Sequence, residues 1–376
     1  MKAAKAASPE PCWLFLGKRF YTNKDALQER FGRIYQLPFH WARDGGKVRL
    51  WLVDYHTRES REVRDESLQI SSAPALSARS FVLFALMLLR ARPEVIIASG
   101  DCYIGFLGWL LARLCGSVFV FDIYDKYDEF AGYVRPFGWD IFGFLRRRAD
   151  VRSYAAASLA GYFDDLSCAK TSVIVPNGID DQKFKPMDLA SCRDQLGLEQ
   201  DARLVGYFGS MLAERGVDDL VAAVGLVREH APDIKLLLCG GPVSTGGYAP
   251  WVIYRGVVPH QAMPLYLNAC DVLAIPYRRS LLVDTSSSCK IAEYFNCRRP
   301  IVSTRTPNLT ENFPSQAFAL GSALCEPGDV ADIARAIEFQ LDTELVLPPI
   351  PGSDWPSLAR LARDVIGNTL PPAERR

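Results

Sequence analysis

The feature that most constrains the fold is an alternation of short apolar runs with helix-like segments, which occurs twice along the 376 residues. The first series has its strand-like runs at residues 13–17, 48–53, 95–98 and 118–122. After Ser172 a second series follows, with runs at residues 204–208, 235–239, 252–254, 272–275 and 300–303. Most of these runs are apolar without alternation, as in parallel strands that helices cover on both faces. The pattern predicts an α/β fold class with two Rossmann-like, doubly wound parallel-sheet domains that face a cleft.

The chain is too long for one ordinary hydrophobic core, which also favours two domains. We expect an N-terminal domain over residues 1–183, a C-terminal domain over residues 184–347 and a return segment over residues 348–376. The polar stretch at residues 180–201 is expected to connect the two domains.

Composition excludes several classes of protein. Hydrophobic residues make up 49% and charged residues 23%, which is typical of a globular chain and not of a disordered one. Lys+Arg and Asp+Glu number 43 each, so no overall positive charge attracts nucleic acid. The four histidines lack metal-ligand spacing, so no metal site is expected.

The sequence also predicts a cytoplasmic location. The ten cysteines contain no C-x-x-C pair, which is typical of reduced thiols rather than of a disulfide framework. Residues 1–11 lack the apolar run of a signal peptide. The apolar runs at residues 81–89 and 104–114 are shorter than the roughly 20 residues that span a bilayer, so we expect buried core helices there.

A Rossmann-like pattern raises the possibility of a dehydrogenase, which needs G-x-G-x-x-G directly after a strand. Neither turn that would carry this motif fits. The first reads Gly17-Lys-Arg-Phe-Tyr-Thr, and the second reads Gly209-Ser-Met-Leu-Ala-Glu. The second turn has a different use, because Gly209 lets a ligand approach the backbone closely and Arg215 stands where the next helix begins. An arginine beside the free amides of a helix start can bind an anion; the alternative is a plain turn with an exposed arginine.

The strongest stretch for function runs from Asp284 to Pro300. Serines 286–288 offer an N-cap for a helix whose dipole favours phosphate. Lys290 falls in the first turn, where a positive charge opposes the dipole unless an anion is bound. Glu293 lies one turn later on the same face, where a carboxylate can accept hydrogen bonds from a ribose diol. The alternative is a simple surface pair of Lys290 with Glu293.

Two features of the N-terminal half have alternative explanations. Asp122 and Asp125 follow a buried strand, so one of them would contact an acceptor or a developing charge, or cap the next helix. The aromatic run Phe137–Leu145 ends in Arg146–Arg148, so it predicts either peripheral contact with an anionic membrane surface or a core helix with a solvated end.

Together with Asn177-Gly178-Ile-Asp180 and Gly256-Val-Val, these stretches resemble the retaining GT-B glycosyltransferases of family 4, often called group 1. The resemblance covers most of the chain. It implies transfer of a sugar from a nucleoside diphosphate sugar to a hydroxyl acceptor (a glycan, a lipid-linked molecule or a small molecule), as in polysaccharide or glycoconjugate biosynthesis. It implies that the transferred sugar keeps its anomeric configuration. It also implies that the reaction needs no metal and no cofactor besides the donor substrate.

The resemblance also implies roles for the parts of the chain. The N-terminal domain would take the acceptor, the C-terminal domain would bind the donor, and a helix at residues 357–366 would cross back to the N-terminal domain. We expect Arg215, Lys290 and Asp125 to act in catalysis. The expected donor contacts are Gly209, Ser210, Arg215, Tyr254, Val257, Ser288, Lys290, Ile291 and Glu293.

The sequence departs from the family pattern at several positions. The family has a second glutamate eight residues before Glu293, where this chain has Thr285 next to Asp284. Arg298 replaces the glycine that usually ends the Glu293 helix, and the loop after the first strand lacks its glycine pair. These departures leave two alternatives to an active transferase: a degenerate sugar-nucleotide-binding partner protein, and a nucleotide-sugar epimerase of the same fold.

Overall fold

The structure, a computed structural model, describes residues 12–21, 24–57, 59–75, 77–130, 132–163, 170–241 and 247–370. Residues 1–11, for which the sequence predicts no targeting signal, lie outside this set. The chain divides into two compact units: residues 1–178 with 354–376, and residues 179–353. Each unit contains a parallel sheet flanked by helices, so the predicted fold class is confirmed.

The first unit is built on an eight-stranded sheet. Its elements are β1 (Cys12–Lys18), β2 (Phe20–Tyr21), β3 (Lys24–Asp25), α1 (Ala26–Glu29), α2 (Gly32–Arg43), β4 (Lys47–Asp54), β5 (Arg61–Asp65), β6 (Leu68–Pro74), α3 (Ala78–Ala91), β7 (Val95–Ser99), α4 (Cys102–Cys115), β8 (Val118–Ile123), α5 (Ile141–Arg148), β9 (Val151–Tyr154), α6 (Ala157–Tyr162) and β10 (Thr171–Ile174). The strand order is β10-β9-β8-β7-β1-β4-β6-β5, and only the β5–β6 pair is antiparallel. Strands β2 and β3 form a separate small hairpin.

The second unit has a six-stranded sheet in which every pair is parallel, in the order β13-β12-β11-β14-β15-β16. Its elements are α7 (Leu189–Leu196), β11 (Arg203–Phe208), α8 (Val217–Arg228), β12 (Ile234–Cys239), β13 (Val252–Tyr254), α9 (Met263–Asn268), β14 (Val272–Ile275), α10 (Leu281–Asp284), α11 (Cys289–Cys297), β15 (Ile301–Thr304), α12 (Pro307–Thr310), α13 (Pro314–Leu320), β16 (Leu324–Cys325) and α14 (Val330–Thr343). The central strands β11 and β14 are buried over almost their whole length, as their apolar sequences require.

The last helix, α15 (Trp355–Gly367), returns to the first unit and packs against α2, as the resemblance implied. Asp354 caps it by accepting a hydrogen bond from the Ser357 amide at 2.8 Å. The indole of Trp41 on α2 donates to the Ala359 carbonyl at 2.6 Å. Buried Leu358 and Ile366 complete the contact with the sheet core.

Several local expectations were wrong. The helix expected to begin near Gln28 is two helices, because Arg30 adopts a left-handed conformation (φ 52°) and ends α1. Strand β5 was missed because its residues are charged and exposed, so it lacks an apolar run. Residues 180–201, expected to connect the domains, belong to the second unit and contain α7.

The two apolar runs expected to be core helices are α3 and α4. Among the described residues, no helix is long and apolar enough to cross a membrane. However, α4 is not buried all round, because Leu110 and Leu114 are 42% and 61% exposed. The expectation of a buried helix holds only for the side of α4 that contacts the sheet.

Arg298 ends α11 with φ 54° and ψ 47°, the left-handed conformation that the family's glycine would adopt without strain. We therefore predict that Arg298→Gly raises the free energy of unfolding of the second unit by about 1 kcal/mol. Urea unfolding followed by circular dichroism measures the change. The control is Ala222→Gly, an exposed position in the middle of α8, which should lower stability by about 0.5–1 kcal/mol. A lower stability for Arg298→Gly would contradict the strain argument.

Candidate functional site

Glycines at the carboxyl ends of β11 and β12 bring two loops together in the second unit. The Gly209 amide donates to the Cys239 carbonyl at 2.7 Å. Gly240 has φ 146°, and a Cβ on it would lie 1.7 Å from the Gly209 carbonyl oxygen. A side chain at Gly240 would force the loops apart, so glycine is required for this close backbone contact.

Gly209 also makes room for a lysine. Its φ is 136°, and a Cβ on it would lie 2.1 Å from Nζ of Lys290 and 2.3 Å from Cε. Lys290 is the second residue of α11, in the first turn as the sequence predicted. The lysine side chain therefore extends across the turn after β11, and any residue with a side chain at 209 would displace it.

The Lys290 ammonium lies among aromatic rings. Its Nζ donates to the Tyr277 hydroxyl at 3.2 Å and lies 5.2 Å and 5.6 Å from the ring centroids of Tyr207 and Tyr277. Burial by itself would lower the pKa of Lys290, but the neighbouring tyrosine hydroxyls raise it above its ordinary value. The lysine is therefore a charged, partly buried group.

Arg215 approaches the same tyrosine from another loop. Its guanidinium lies 4.8 Å from the Tyr277 ring centroid, a cation–π contact. Arg215 is the last residue of a one-turn helix, Ala213–Arg215, and Gly216 follows it with φ 65°. A Cβ at Gly216 would lie 1.8 Å from the Pro276 carbonyl oxygen. Glycine is therefore required for this loop to lie against Pro276, the residue before Tyr277.

Lys290 and Arg215 form a cationic pair without an anionic partner. Among the described residues, no carboxylate lies within ion-pair distance of either side chain, and the buried Arg215 Nε has no hydrogen-bond partner. Burial by itself would raise the pKa of Tyr277, but Lys290 and then Arg215 hold it below its ordinary value. Two adjacent positive charges and an unused buried donor favour the binding of an anion.

The start of α11 adds donors to this cluster. Ser288 occupies the N-cap position but makes no capping hydrogen bond, because its hydroxyl lies 3.3 Å from the Tyr277 hydroxyl. Ser286, also expected to assist, instead accepts a hydrogen bond from the Asn308 side chain at 2.8 Å. The positive end of the α11 dipole therefore lies beside Lys290 with Ser288 at its edge.

Glu293 lies one turn along α11 and is only 6% exposed. Its Oε1 is 3.2 Å from Nε2 of His260, which stands in the loop after β13. Sequence reasoning missed His260, since a lone histidine in a loop carries no spacing signal. The predicted contact of Glu293 with a ribose stays a prediction, and His260 is the neighbour that orients its carboxylate.

The remaining expected donor contacts surround the cluster. The Tyr254 hydroxyl donates to the Gly240 carbonyl at 2.7 Å, and Val257 is 82% exposed. The Ser210 carbonyl accepts from the Tyr207 hydroxyl at 2.5 Å. Ile291 is the third residue of α11 and its side chain is buried in the core, so a donor would meet its backbone and not its side chain.

The family's missing glutamate has no substitute at the same place. The Thr285 hydroxyl donates to the Leu281 carbonyl at 2.7 Å, which ties it to α10. Asp284 accepts a hydrogen bond from Arg279 at 2.8 Å through one oxygen, and its other oxygen is buried without a partner. Among the described residues, no group of three or more His, Cys, Asp and Glu side chains is placed to hold a metal ion.

The two candidate aspartates of the first unit differ in burial and in hydrogen-bond partners. The Asp122 carboxylate accepts hydrogen bonds from Arg33 at 2.7 and 2.9 Å and from Ser99 and Ser153 at 2.7 Å each. It is 1% exposed, so it joins α2 to three strands and neither faces a ligand nor caps a helix. Asp125 is partly buried and accepts a hydrogen bond from the Lys126 amide at 2.8 Å; its catalytic role stays a prediction.

The first unit also contains a cavity of about 890 Å³ where β4 and β6 end and α4 begins. Its lining is mainly apolar and aromatic, including Val53, Tyr55, Tyr103, Ile104 and Leu107. Cavities of this size and character accommodate small organic groups.

The second unit matches a known family. Residues 202–343 match the family model described as glycosyl transferases group 1. The 2-deoxystreptamine glucosyltransferase of Streptomyces kanamyceticus is 23% identical over 211 residues, which are 53% of this chain and 52% of that protein. The D-inositol 3-phosphate glycosyltransferase of Stackebrandtia nassauensis is 30% identical over 208 residues, 50% of this chain and 42% of that protein. The chain thus spans about half the length of these curated relatives.

Solved structures share the fold over nearly the whole chain. The sucrose-phosphate synthase of Thermosynechococcus elongatus superimposes with a TM-score of 0.65 at 16% identity, covering 96% of this chain and 95% of that one. HepE of Anabaena, solved in complex with UDP-glucose, gives a TM-score of 0.61 at 15% identity and covers 96% of each chain. At such identities these likenesses establish the two-domain GT-B fold.

The contact between Gly209 and Lys290 leads to a prediction about anion binding. Gly209→Ala should weaken binding of a nucleoside diphosphate at least about tenfold, because the new methyl group displaces the lysine ammonium. Gly197→Ala is the control: it also has positive φ (61°), but no atom lies within 4 Å of its added Cβ. Isothermal titration calorimetry measures both affinities. Unchanged diphosphate binding by Gly209→Ala would place the anion elsewhere.

Proposed function

We propose that this chain, whose residues 202–343 form a group 1 glycosyltransferase domain within a GT-B fold, transfers a sugar from a nucleoside diphosphate sugar to a hydroxyl acceptor. The observation that carries the proposal is the cationic pair of Arg215 and Lys290 on the Tyr277 ring. The pair lies at the carboxyl ends of the strands of a doubly wound sheet, where such folds bind ligands.

The donor would lie along the start of α11. Its diphosphate would meet Lys290, Arg215 and the amides of the first turn, and Glu293 would accept hydrogen bonds from the ribose hydroxyls. The base would occupy the segment from Tyr254 to Val257, whose exposed Val257 offers an apolar contact. We propose uridine as the first base to test, because HepE and the E. coli trehalose-6-phosphate protein were solved with UDP or a UDP-sugar.

The proposed chemistry is electrostatic. The bond between the anomeric carbon and the diphosphate oxygen breaks, and the leaving oxygen keeps the electron pair. Lys290 and Arg215, already placed and charged, stabilise that developing negative charge without reorganisation. The acceptor oxygen then bonds to the same carbon with retained configuration, and its proton passes to the oxygen of the departing diphosphate. Asp125 is the proposed first-unit carboxylate for the acceptor or the developing charge.

We propose that the acceptor carries an apolar group, which the cavity of the first unit would hold. A lipid-linked molecule or a small aromatic compound meets this requirement. The proposed setting is the cytoplasm, with peripheral contact to a membrane surface. Support for a reducing compartment comes from the nine described cysteines, all of them free thiols.

A second candidate is a degenerate binding partner that holds the sugar nucleotide without turnover. It is favoured by Thr285, whose hydroxyl is tied to α10 and cannot act as the missing carboxylate. Incubation of the chain with UDP-glucose separates the cases. Release of UDP identifies a catalyst, unchanged donor identifies a binding protein, and epimerised sugar without UDP release identifies an epimerase.

We predict that Lys290→Ala and Glu293→Ala separate two parts of donor recognition. Loss of Lys290 should weaken diphosphate binding about 10- to 150-fold, the effect of about 1.5–3 kcal/mol for a charge-assisted hydrogen bond, and leave nucleoside binding nearly unchanged. Loss of Glu293 should weaken nucleoside, monophosphate and diphosphate by a similar factor. Arg215→Ala should resemble the lysine variant.

Calorimetry with the three ligands measures these effects, and thermal unfolding confirms that the variants are folded. Lys235→Ala removes a positive charge elsewhere on the second unit, where Lys235 pairs with Glu199, and should change none of the affinities. If Lys290→Ala binds the diphosphate as tightly as the parent chain, the assigned site is wrong.

We also predict that donor binding survives removal of divalent ions, because Lys290 and Arg215 supply the positive charge that a metal would otherwise provide. Diphosphate affinity is measured with and without excess EDTA. Loss of binding in EDTA that Mg²⁺ or Mn²⁺ restores would reject this prediction.

A further inference from the structure

The outer side of α4 is apolar and exposed. Tyr103, Leu110 and Leu114 lie on it and are 40%, 42% and 61% exposed. The spacing of seven and four residues places them along one face of the helix. Arg113 is the single charged residue of α4. Exposed apolar side chains aligned in this way usually mark a contact surface.

A neighbouring loop extends this surface. Val134 and Phe137 are 61% and fully exposed, and Trp139 is 40% exposed. The loop is fastened to α4, because the Val134 amide donates to the Tyr103 hydroxyl at 2.9 Å and the Trp139 ring packs edge-on against Phe106 at 5.5 Å. We call Tyr103, Leu110, Leu114, Val134, Phe137 and Trp139 the α4 face.

Positive charge borders the α4 face. Helix α5 packs against α4 and ends in Arg147 and Arg148, both exposed. The Arg148 guanidinium lies 5.7 Å from the Phe144 ring, which contacts Trp139 at 5.2 Å. Among the described residues, no carboxylate is within ion-pair distance of Arg113, Arg147 or Arg148. Residues 102–115 carry one Arg, and residues 130–148 carry four Arg and one Asp, but Arg135 pairs with Asp128 at 3.9 Å. The positive charge that borders the α4 face therefore comes from Arg113 and from the end of α5.

We propose that the α4 face docks the first unit onto an anionic phospholipid surface. Exposed Phe, Trp and Leu side chains beside unpaired arginines are the composition of interfacial membrane contacts, where rings enter the headgroup boundary and arginines meet lipid phosphates. The charge complementarity favours this occupant over a second copy of the chain, whose own arginines would face these.

The α5 segment itself is not the apolar contact. Ile141, Phe142 and Leu145 are buried in the first-unit core and Phe144 is partly buried, so the exposed residues of α5 are Arg147 and Arg148. The inference deepens the proposed membrane contact and rests on it. The α4 face shares Phe137 and Trp139 with the segment that the sequence indicated, but its helical part is α4 instead of α5.

The α4 face also borders the first-unit cavity, since Tyr103 belongs to both and Leu107 lies one turn before Leu110. An acceptor with a lipid tail in the bilayer would therefore reach the cavity from the membrane side. Docking and acceptor binding use adjacent parts of one helix.

The test is sedimentation of the full chain with phosphatidylcholine vesicles that contain about a quarter phosphatidylserine. We expect binding in about 0.1 M salt that is lost in about 1 M salt, where the Debye length falls from about 10 to about 3 Å. The triple variant Arg113→Gln, Arg147→Gln, Arg148→Gln should bind about a hundredfold more weakly, or about fivefold for each arginine. Its control, with Arg61, Arg64 and Arg360 changed to Gln, should bind as the parent does.

A second triple variant, Leu110→Ser, Leu114→Ser, Phe137→Ser, removes exposed apolar groups without opening the core. It should lose vesicle binding, whereas serines at Leu226, Phe318 and Val346, which are exposed apolar residues of the second unit, should not affect it. Equal losses in test and control variants would overturn the proposal. The proposal would also be overturned if ultracentrifugation shows a dimer of the parent chain that dissociates in the Leu110→Ser, Leu114→Ser, Phe137→Ser variant but not in its control.

Binding of UDP is measured in the same samples. If the parent chain binds UDP but not the anionic vesicles, the docking surface is wrong and the proposed donor site stands. If the vesicles bind and no nucleoside diphosphate does, the donor site fails and the docking surface stands.

Discussion

The placement of Lys290 and Arg215 against the ring of Tyr277 is the interaction on which the proposed donor site depends. Other features of the second unit make this placement possible. Gly209 leaves space for the lysine, Gly216 holds the arginine loop close to the strand that precedes Tyr277, and α11 begins beside both. The strands β11 and β14 are buried in the sheet, so the loops that begin at their carboxyl ends start from fixed positions.

Two partly buried cations side by side are unfavourable without an anion, and the aromatic rings offset only part of that cost. The same arrangement is useful in catalysis, since the charges are in place before negative charge develops on a leaving diphosphate. The family's carboxylate eight residues before Glu293 is absent, and Thr285 fills its place inside the structure. The cations proposed to bind the phosphates are thus in place, and the departure lies at Thr285, between α10 and α11.

Local patterns predicted most of the helices and strands and part of the site. The βα alternation predicted both sheets, Lys290 lies in the first turn of α11, and Arg298 is left-handed as the replaced glycine indicated. Contacts between distant segments were not predictable. Tyr277 looks like an ordinary residue after a strand, and Asp122 is held by Arg33, 89 residues away. Helix α4 is apolar on nearly every side, so its sequence indicated burial and hid the exposed face.

The most direct test of the account compares nucleoside, monophosphate and diphosphate binding to the unmodified chain, for each common base, by calorimetry. If Lys290 and Arg215 hold the diphosphate, affinity for the best-bound base rises about 10- to 150-fold from monophosphate to diphosphate, and the gain shrinks as salt is added. Equal affinity for monophosphate and diphosphate would contradict the assignment of this cluster to the donor.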